Sequence, residues 1–121
     1  MTCNCFMQNE NTIQFIAGTS VNLTFSFDED ISSYTSAELV IRANYETAPV
    51  IDKPISITET NEINVELTPA ETANFTSFAN GKNSASYIWG LDLLDSVTGD
   101  RVNVFPQTGE PAPLCIVYKH V

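Results

Sequence analysis

Cys3 and Cys5 stand near one end of the chain, and Cys115 and His120 near the other. Thiolate and imidazole are the ligands that hold zinc, and four of them would complete a tetrahedral site. Their spacing matches none of the usual paired-ligand patterns. An odd cysteine count without framework spacing also argues against a disulfide scaffold. The reading adopted is two incidental thiols in a flexible N-terminal tail (residues 1–11) and a lone Cys115 in a strand-like run, with no metal and no cofactor. His120 is the only histidine. A Ser-His-Asp system would need it ordered and buttressed, and it sits beside the last residue.

The acidic residues are the other candidates. Asp28, Glu29 and Asp30 form a run that invites calcium, but the glycine and distal glutamate of a calcium loop are missing. A solvated loop that caps its own backbone fits better. Asp92, Asp95 and Asp100 flank a hairpin, where they are expected to solvate a turn rather than face one another across a hydrolase cleft. No glycine-rich phosphate loop or dinucleotide fingerprint occurs. Trp89 and the tyrosines could line a sugar-binding face, yet a tryptophan in mid-strand with apolar flanks suits a core. Asn22-Leu23-Thr24 and Asn74-Phe75-Thr76 match glycosylation acceptors, which matter only on a secretory route. No acid, base or nucleophile is placed for turnover, so no catalytic residue is assigned and a non-enzymatic protein is expected.

The elements that would position these groups read as strands. Ile13, Phe15 and Ala17 alternate with outward positions. After Gly18 and Thr19, residues Val21, Leu23, Phe25 and Phe27 alternate with Asn22, Thr24 and Ser26. Period two over such a length marks strands with one buried and one wet face, an antiparallel pattern. "AELVIRANY" resumes it, with Leu39 and Ile41 inward and Glu38 and Arg42 outward. "VIDKPISI" contains Pro54, which cannot donate to a ladder and so predicts an edge strand. "EINVEL" alternates through Ile63, Val65 and Leu67. "SYIWGLDLL" is the longest apolar run, followed by "RVNVF", an irregular "PQTGEPAP" and a closing "LCIVYKH".

One stretch, "ELTPAETANF", breaks the pattern. Thr68 can cap a helix, Pro69 suits its first position, and Glu71 completes a capping box. Phe75, Phe78 and Ala79 have i, i+3, i+4 spacing, so one face can pack down. The poor helix formers Thr72, Asn74, Thr76 and Ser77 require the helix to be short, and Asn80-Gly81 is a natural stop. Its role would be structural: to carry the chain from one sheet to the other and plug the open end with two phenylalanines. About eight short strands (range 7–9) with one crossover helix between the fifth and sixth predict an all-β antiparallel sandwich. It forms a single domain over residues 12–121. Val21, Leu23, Phe25, Leu39, Ile41, Ile63, Val65, Leu67, Trp89 and Leu91 are its expected core.

Composition sets limits on partners. Five basic residues against fifteen acidic ones give a net charge of −10. Acids scattered along the chain promote solubility and disfavour nucleic acid and anionic membrane. No apolar run is long enough to cross a bilayer as a helix. The start "MTCNCFMQNE" has neither the basic nor the apolar part of a signal peptide, so a reducing cytoplasm is the expected place of synthesis.

The order "AGTSVNLTFSF", "SYTSAELVIR", "INVELTPAETANF", "YIWGLDLLDSVTGDRV" resembles a family of phage virion domains: the immunoglobulin-like N-terminal domain of siphophage upper baseplate proteins and related minor tail proteins. The likeness covers roughly residues 12–105 and lies in order and spacing. It implies an immunoglobulin-like sandwich without catalytic residues, a structural role in a tail or baseplate, and contacts with other virion proteins and with itself. The setting it implies is a virion assembled in the bacterial cytoplasm. The other functional class left open is a stand-alone module binding carbohydrate or a host surface. Exposed aromatics would favour that module, and exposed strand edges and apolar patches would favour assembly.

Overall fold

The computed structural model describes residues 12–121 and, as backbone, the short strand at residues 3–5. Nine strands and one helical turn follow in chain order: β1 (Cys3–Cys5), β2 (Ile13–Ile16), β3 (Val21–Phe27), β4 (Ser36–Arg42), β5 (Ile51–Ser56), β6 (Glu62–Leu67), α1 (Pro69–Thr72), β7 (Ser84–Leu94), β8 (Arg101–Phe105) and β9 (Leu114–Tyr118). A small sheet has the order β1-β3-β6, and a large sheet has the order β2-β9-β7-β4-β5 with β8 also paired to β7. The eight strands expected from alternation are all present. The ninth, β1, lies within the stretch expected to be a flexible tail, where it runs antiparallel to β3; the rest of that stretch lies outside the described residues.

The all-β expectation holds, but the antiparallel one needs correction. β2 pairs with β9 in parallel, Ile13 opposite Cys115 through Ile16 opposite Tyr118. The large sheet is therefore mixed. The cause lies in the turn after β2. Gly18 takes φ of 79°, a region open to glycine, and Thr19 Oγ1 closes the turn on the Ile16 carbonyl at 2.6 Å. The chain there leaves the large sheet for the small one. β2 is left at the edge beside the last strand, and nearly the whole domain serves as the long connection that a parallel pair needs.

One core lies between the sheets. Phe25, Ile63, Val65 and Leu67 from the small sheet and Leu39, Ile41, Trp89 and Leu91 from the large one are all buried. The rings of Phe25 and Trp89 meet across the gap at 5.6 Å, and Phe105 stands 5.0 Å from Trp89 on its other flank. Val21 and Leu23, expected in the core, are only half-buried. β1 reaches β3 no further than Phe25–Phe27, so the other end of β3 lacks that cover.

The capped turn forms as its sequence requires. Thr68 Oγ1 accepts from the Glu71 N–H at 3.2 Å, and Glu71 Oε1 accepts from the Thr68 N–H at 2.9 Å. Pro69 occupies the start, where a missing N–H costs nothing. The helix is shorter than the spacing predicts. It ends at Thr72, so Phe75 and Phe78 do not share a helical face. Poor helix formers after Ala73 and the absence of a long apolar stripe explain the stop. Phe75 alone is fully buried, edge-on to Phe15 at 5.3 Å and to Tyr87 at 4.9 Å. It closes the end of the core as the chain crosses from β6 to β7. Phe78 is half-buried against the same cluster.

Pro54 lies in β5, the last strand of the large sheet, as its lost donor predicts. Its neighbour Lys53 turns inward and bonds the backbone carbonyl of Glu66 on β6 and, at 2.9 Å, the carboxylate of Glu71. β5 and β6 are both end strands of their sheets. An inward lysine between them ties the two edges together and discourages a foreign strand from pairing there.

Candidate functional site

The residues with chemical potential in the sequence do not come together. Cys115 is fully buried and free, and burial pushes its thiol up to about 12. His120 is exposed, with Nδ1 2.9 Å from the Val121 carbonyl. The side chains of Cys3 and Cys5 lie outside the described residues. Among the described residues, no three His, Cys, Asp or Glu side chains gather as metal ligands. Asp30 accepts from the Ser32 N–H at 2.8 Å, and the Ser32 hydroxyl, then that N–H, hold its carboxyl below the ordinary range. Asp95 does the same for the Val97 N–H at 2.9 Å. Both are turn-solvating carboxylates, as expected. Asp100 belongs to the same turn, its carbonyl accepting from the Asp95 N–H at 2.9 Å. Trp89 is core.

Asp92 departs from expectation. It does not solvate the hairpin turn but stands on the outer face of β7, in a polar cluster drawn from four strands. The register aligns Glu38 on β4 with Asp92 on β7, and Asp92 with Asn103 on β8. Arg101 Nε donates to Asp92 Oδ2 at 2.7 Å, and Arg101 Nη2 pairs with Glu38 Oε1. Asn103 Nδ2 donates to Asp92 Oδ1 at 2.7 Å. Asp52 on β5 completes the group by a hydrogen bond with Glu38. That bond, with Arg101 behind it, holds the Glu38 carboxyl low, and the same bond raises Asp52 above the ordinary carboxylate range. Of this acid pair, Asp52 is the one that keeps a proton longest as pH rises.

A cup of about 340 Å³ opens over this cluster. Its floor includes Val40, Ile88 and Gly90, and its far wall is Pro106 and Ala112 from the strap between β8 and β9. A Cβ on Gly90 would come within 3.0 Å of the Phe105 carbonyl oxygen. Glycine eases this contact, because β8 runs close beside β7 at a register shift between Leu91 and Asp92. The same shift lets consecutive residues Val104 and Phe105 both turn inward. The strap is anchored at its far end, where the Trp89 N–H donates to the Pro113 carbonyl at 3.1 Å. The Ala112 N–H donates to the Tyr45 hydroxyl at 3.1 Å, so the exposed Tyr45 from the β4–β5 turn meets the strap over the mouth of the cup. That turn is itself braced by Arg42, whose Nη1 donates to the Thr47 carbonyl at 3.1 Å.

Beyond the cup the same outer face turns apolar. Ile16 on β2 lies opposite Tyr118 on β9, and both are exposed, as is Leu114. Ile88 on β7 lies opposite Leu114 and is half-buried. The sequence placed Glu38 and Arg42 outward but gave no reason to join them to Asp52, Asp92, Arg101 and Asn103. The usable signal was a charge in the apolar run "LDLL" and another opening the next strand. No protein-family model matches the chain, and no curated protein sequence matches it either.

Proposed function

We propose that this chain is a non-enzymatic immunoglobulin-like domain that works through protein–protein contacts, in the manner of a phage tail or baseplate structural protein. Three features support the immunoglobulin-like reading. The division into β1-β3-β6 and β5-β4-β7-β9 corresponds to strands A, B, E and C′, C, F, G of a variable-type sandwich, with β8 and β9 as one interrupted G strand. Tyr87 stands near the start of the F-like strand, where immunoglobulin domains carry their corner tyrosine, and packs edge-on against Phe75 from the crossover. Two residues later, where antibody domains place a disulfide cysteine, stands Trp89, in ring contact with Phe25 on the B-like strand.

The observation that carries the functional reading is the apolar part of the outer face. A sheet face turned to water ordinarily carries polar side chains. Here Ile16, Leu114 and Tyr118 stand exposed on adjoining strands. Contiguous exposed apolar groups mark association surfaces. The tail setting comes from the likeness in motif order, and Pro54 with inward Lys53 favours closed rings over fibres because both guard one edge. Light scattering over a concentration series, alone and with tail proteins encoded in the same gene cluster, tests this. A defined multimer or complex that Leu114→Glu abolishes is expected. A strictly monomeric protein that ignores those partners refutes it.

A further inference from the structure

We infer that the cup over Arg101 is a binding site for a neutral, polyhydroxylated ring, a mono- or disaccharide unit, separate from the apolar association face. Size comes first. At about 340 Å³ the cup lies at the small end of ligand pockets, which run roughly 300–1,000 Å³. Its charges nearly balance, with three carboxyl groups (Glu38, Asp52, Asp92) against two guanidinium groups (Arg42, Arg101), a slight acidic excess. Arg101 is held between Glu38 and Asp92, and Glu38 also shares a hydrogen bond with Asp52. A free phosphate or carboxylate ligand would have to displace one of these carboxylates from the arginine. A bare cation would have to compete with it. What the cluster offers instead is donors and acceptors side by side: carboxylate oxygens, the Asn103 amide and guanidinium N–H groups.

Each sugar hydroxyl is both donor and acceptor, and a vicinal pair matches such an alternating row. The opposite wall has a different character. Pro106 of the strap and the Tyr45 ring bring apolar surface to the mouth of the cup. A pyranose has a hydroxyl edge and a C–H face, and the cup has a polar side at Glu38, Asp92, Arg101 and Asn103 beside apolar surface at Val40, Ile88 and Pro106. The polar side is held before any ligand arrives, because Arg101, Glu38, Asp92 and Asn103 already bond one another. Little ordering entropy would then be lost on binding.

Backbone amide NMR with methyl glycosides of glucose, galactose, mannose and N-acetylglucosamine as probes tests the assignment, up to about 50 mM so that millimolar binding registers. At least one glycoside should shift Gly90, Asn103 and Ala112 together. Asn103→Leu should weaken that binding tenfold or more while the rest of the spectrum stays folded. Leu114→Glu, which targets the association face, should leave it unchanged, so the two readings can fail separately. Absence of cup shifts with all four glycosides, shifts located elsewhere, or undiminished binding in a folded Asn103→Leu protein would each overturn the inference.

Discussion

Phe75→Ala should be among the most damaging single truncations outside the strands. The ring is 1% exposed and meets Phe15 and Tyr87 edge-on at 5.3 and 4.9 Å. Truncating a buried phenylalanine to alanine costs about 3–5 kcal/mol through lost transfer energy and the cavity left behind. The upper half of that range is expected, because each edge-on pair contributes a further ~0.5–1.5 kcal/mol. Collapse cannot fill the space easily, since Phe15 and Tyr87 are held in paired strands on the other side. Against a typical stability of roughly 5–15 kcal/mol, the loss should lower the melting temperature by roughly 10–20 °C. Urea denaturation followed by the fluorescence of buried Trp89 measures it directly. Phe78→Ala is the internal control: it is half-buried and should cost about half as much or less. If the two variants cost the same, or if Phe75→Ala costs under ~1 kcal/mol, then Phe75 does not close the core.

Gly90→Ala should destabilise by about 1–3 kcal/mol and disturb the amides of Phe105 and the strap, because its Cβ meets the Phe105 carbonyl; an undisturbed NMR spectrum would contradict this. Cys115 should resist N-ethylmaleimide in the native protein and react once urea unfolds it, with peptide mapping separating it from Cys3 and Cys5; fast native labelling would contradict its burial. Glu71 is held low first by the Thr68 backbone and then by Lys53, so its contribution is present above its ordinary value of 4.5 and is lost as pH falls below that value. Glu71→Gln should therefore show a shallower fall in melting temperature on acidification than the parent, and equal slopes would count against the Glu71 network.

The strands were legible because alternation is local. Leu39, Ile41, Ile63, Val65 and Leu67 declare their buried face by their neighbours two residues away, and one face of each strand must leave water. The cap was legible for the same reason, since Thr68, Pro69 and Glu71 satisfy one another within a single turn. Pro54 marked an edge by a donor it does not possess. Tertiary structure decided what depends on partners distant in sequence. The parallel seat of β2 beside β9 follows from where the chain turns at Gly18, and alternation reads the same in either direction. Phe75 rather than Phe78 closes the core because the helix stops at Thr72, short of the face its apolar spacing suggested. The cup depends on register. Sliding β4 or β8 by one residue against β7 would turn Glu38 or Asn103 to the other face, and nothing within either strand fixes that alignment. Asp92 read alone was one more acid near a turn. Pairing across three strands placed Arg101 and Glu38 beside it, and Phe105, whose carbonyl lies close against Gly90, leads the chain into the strap above.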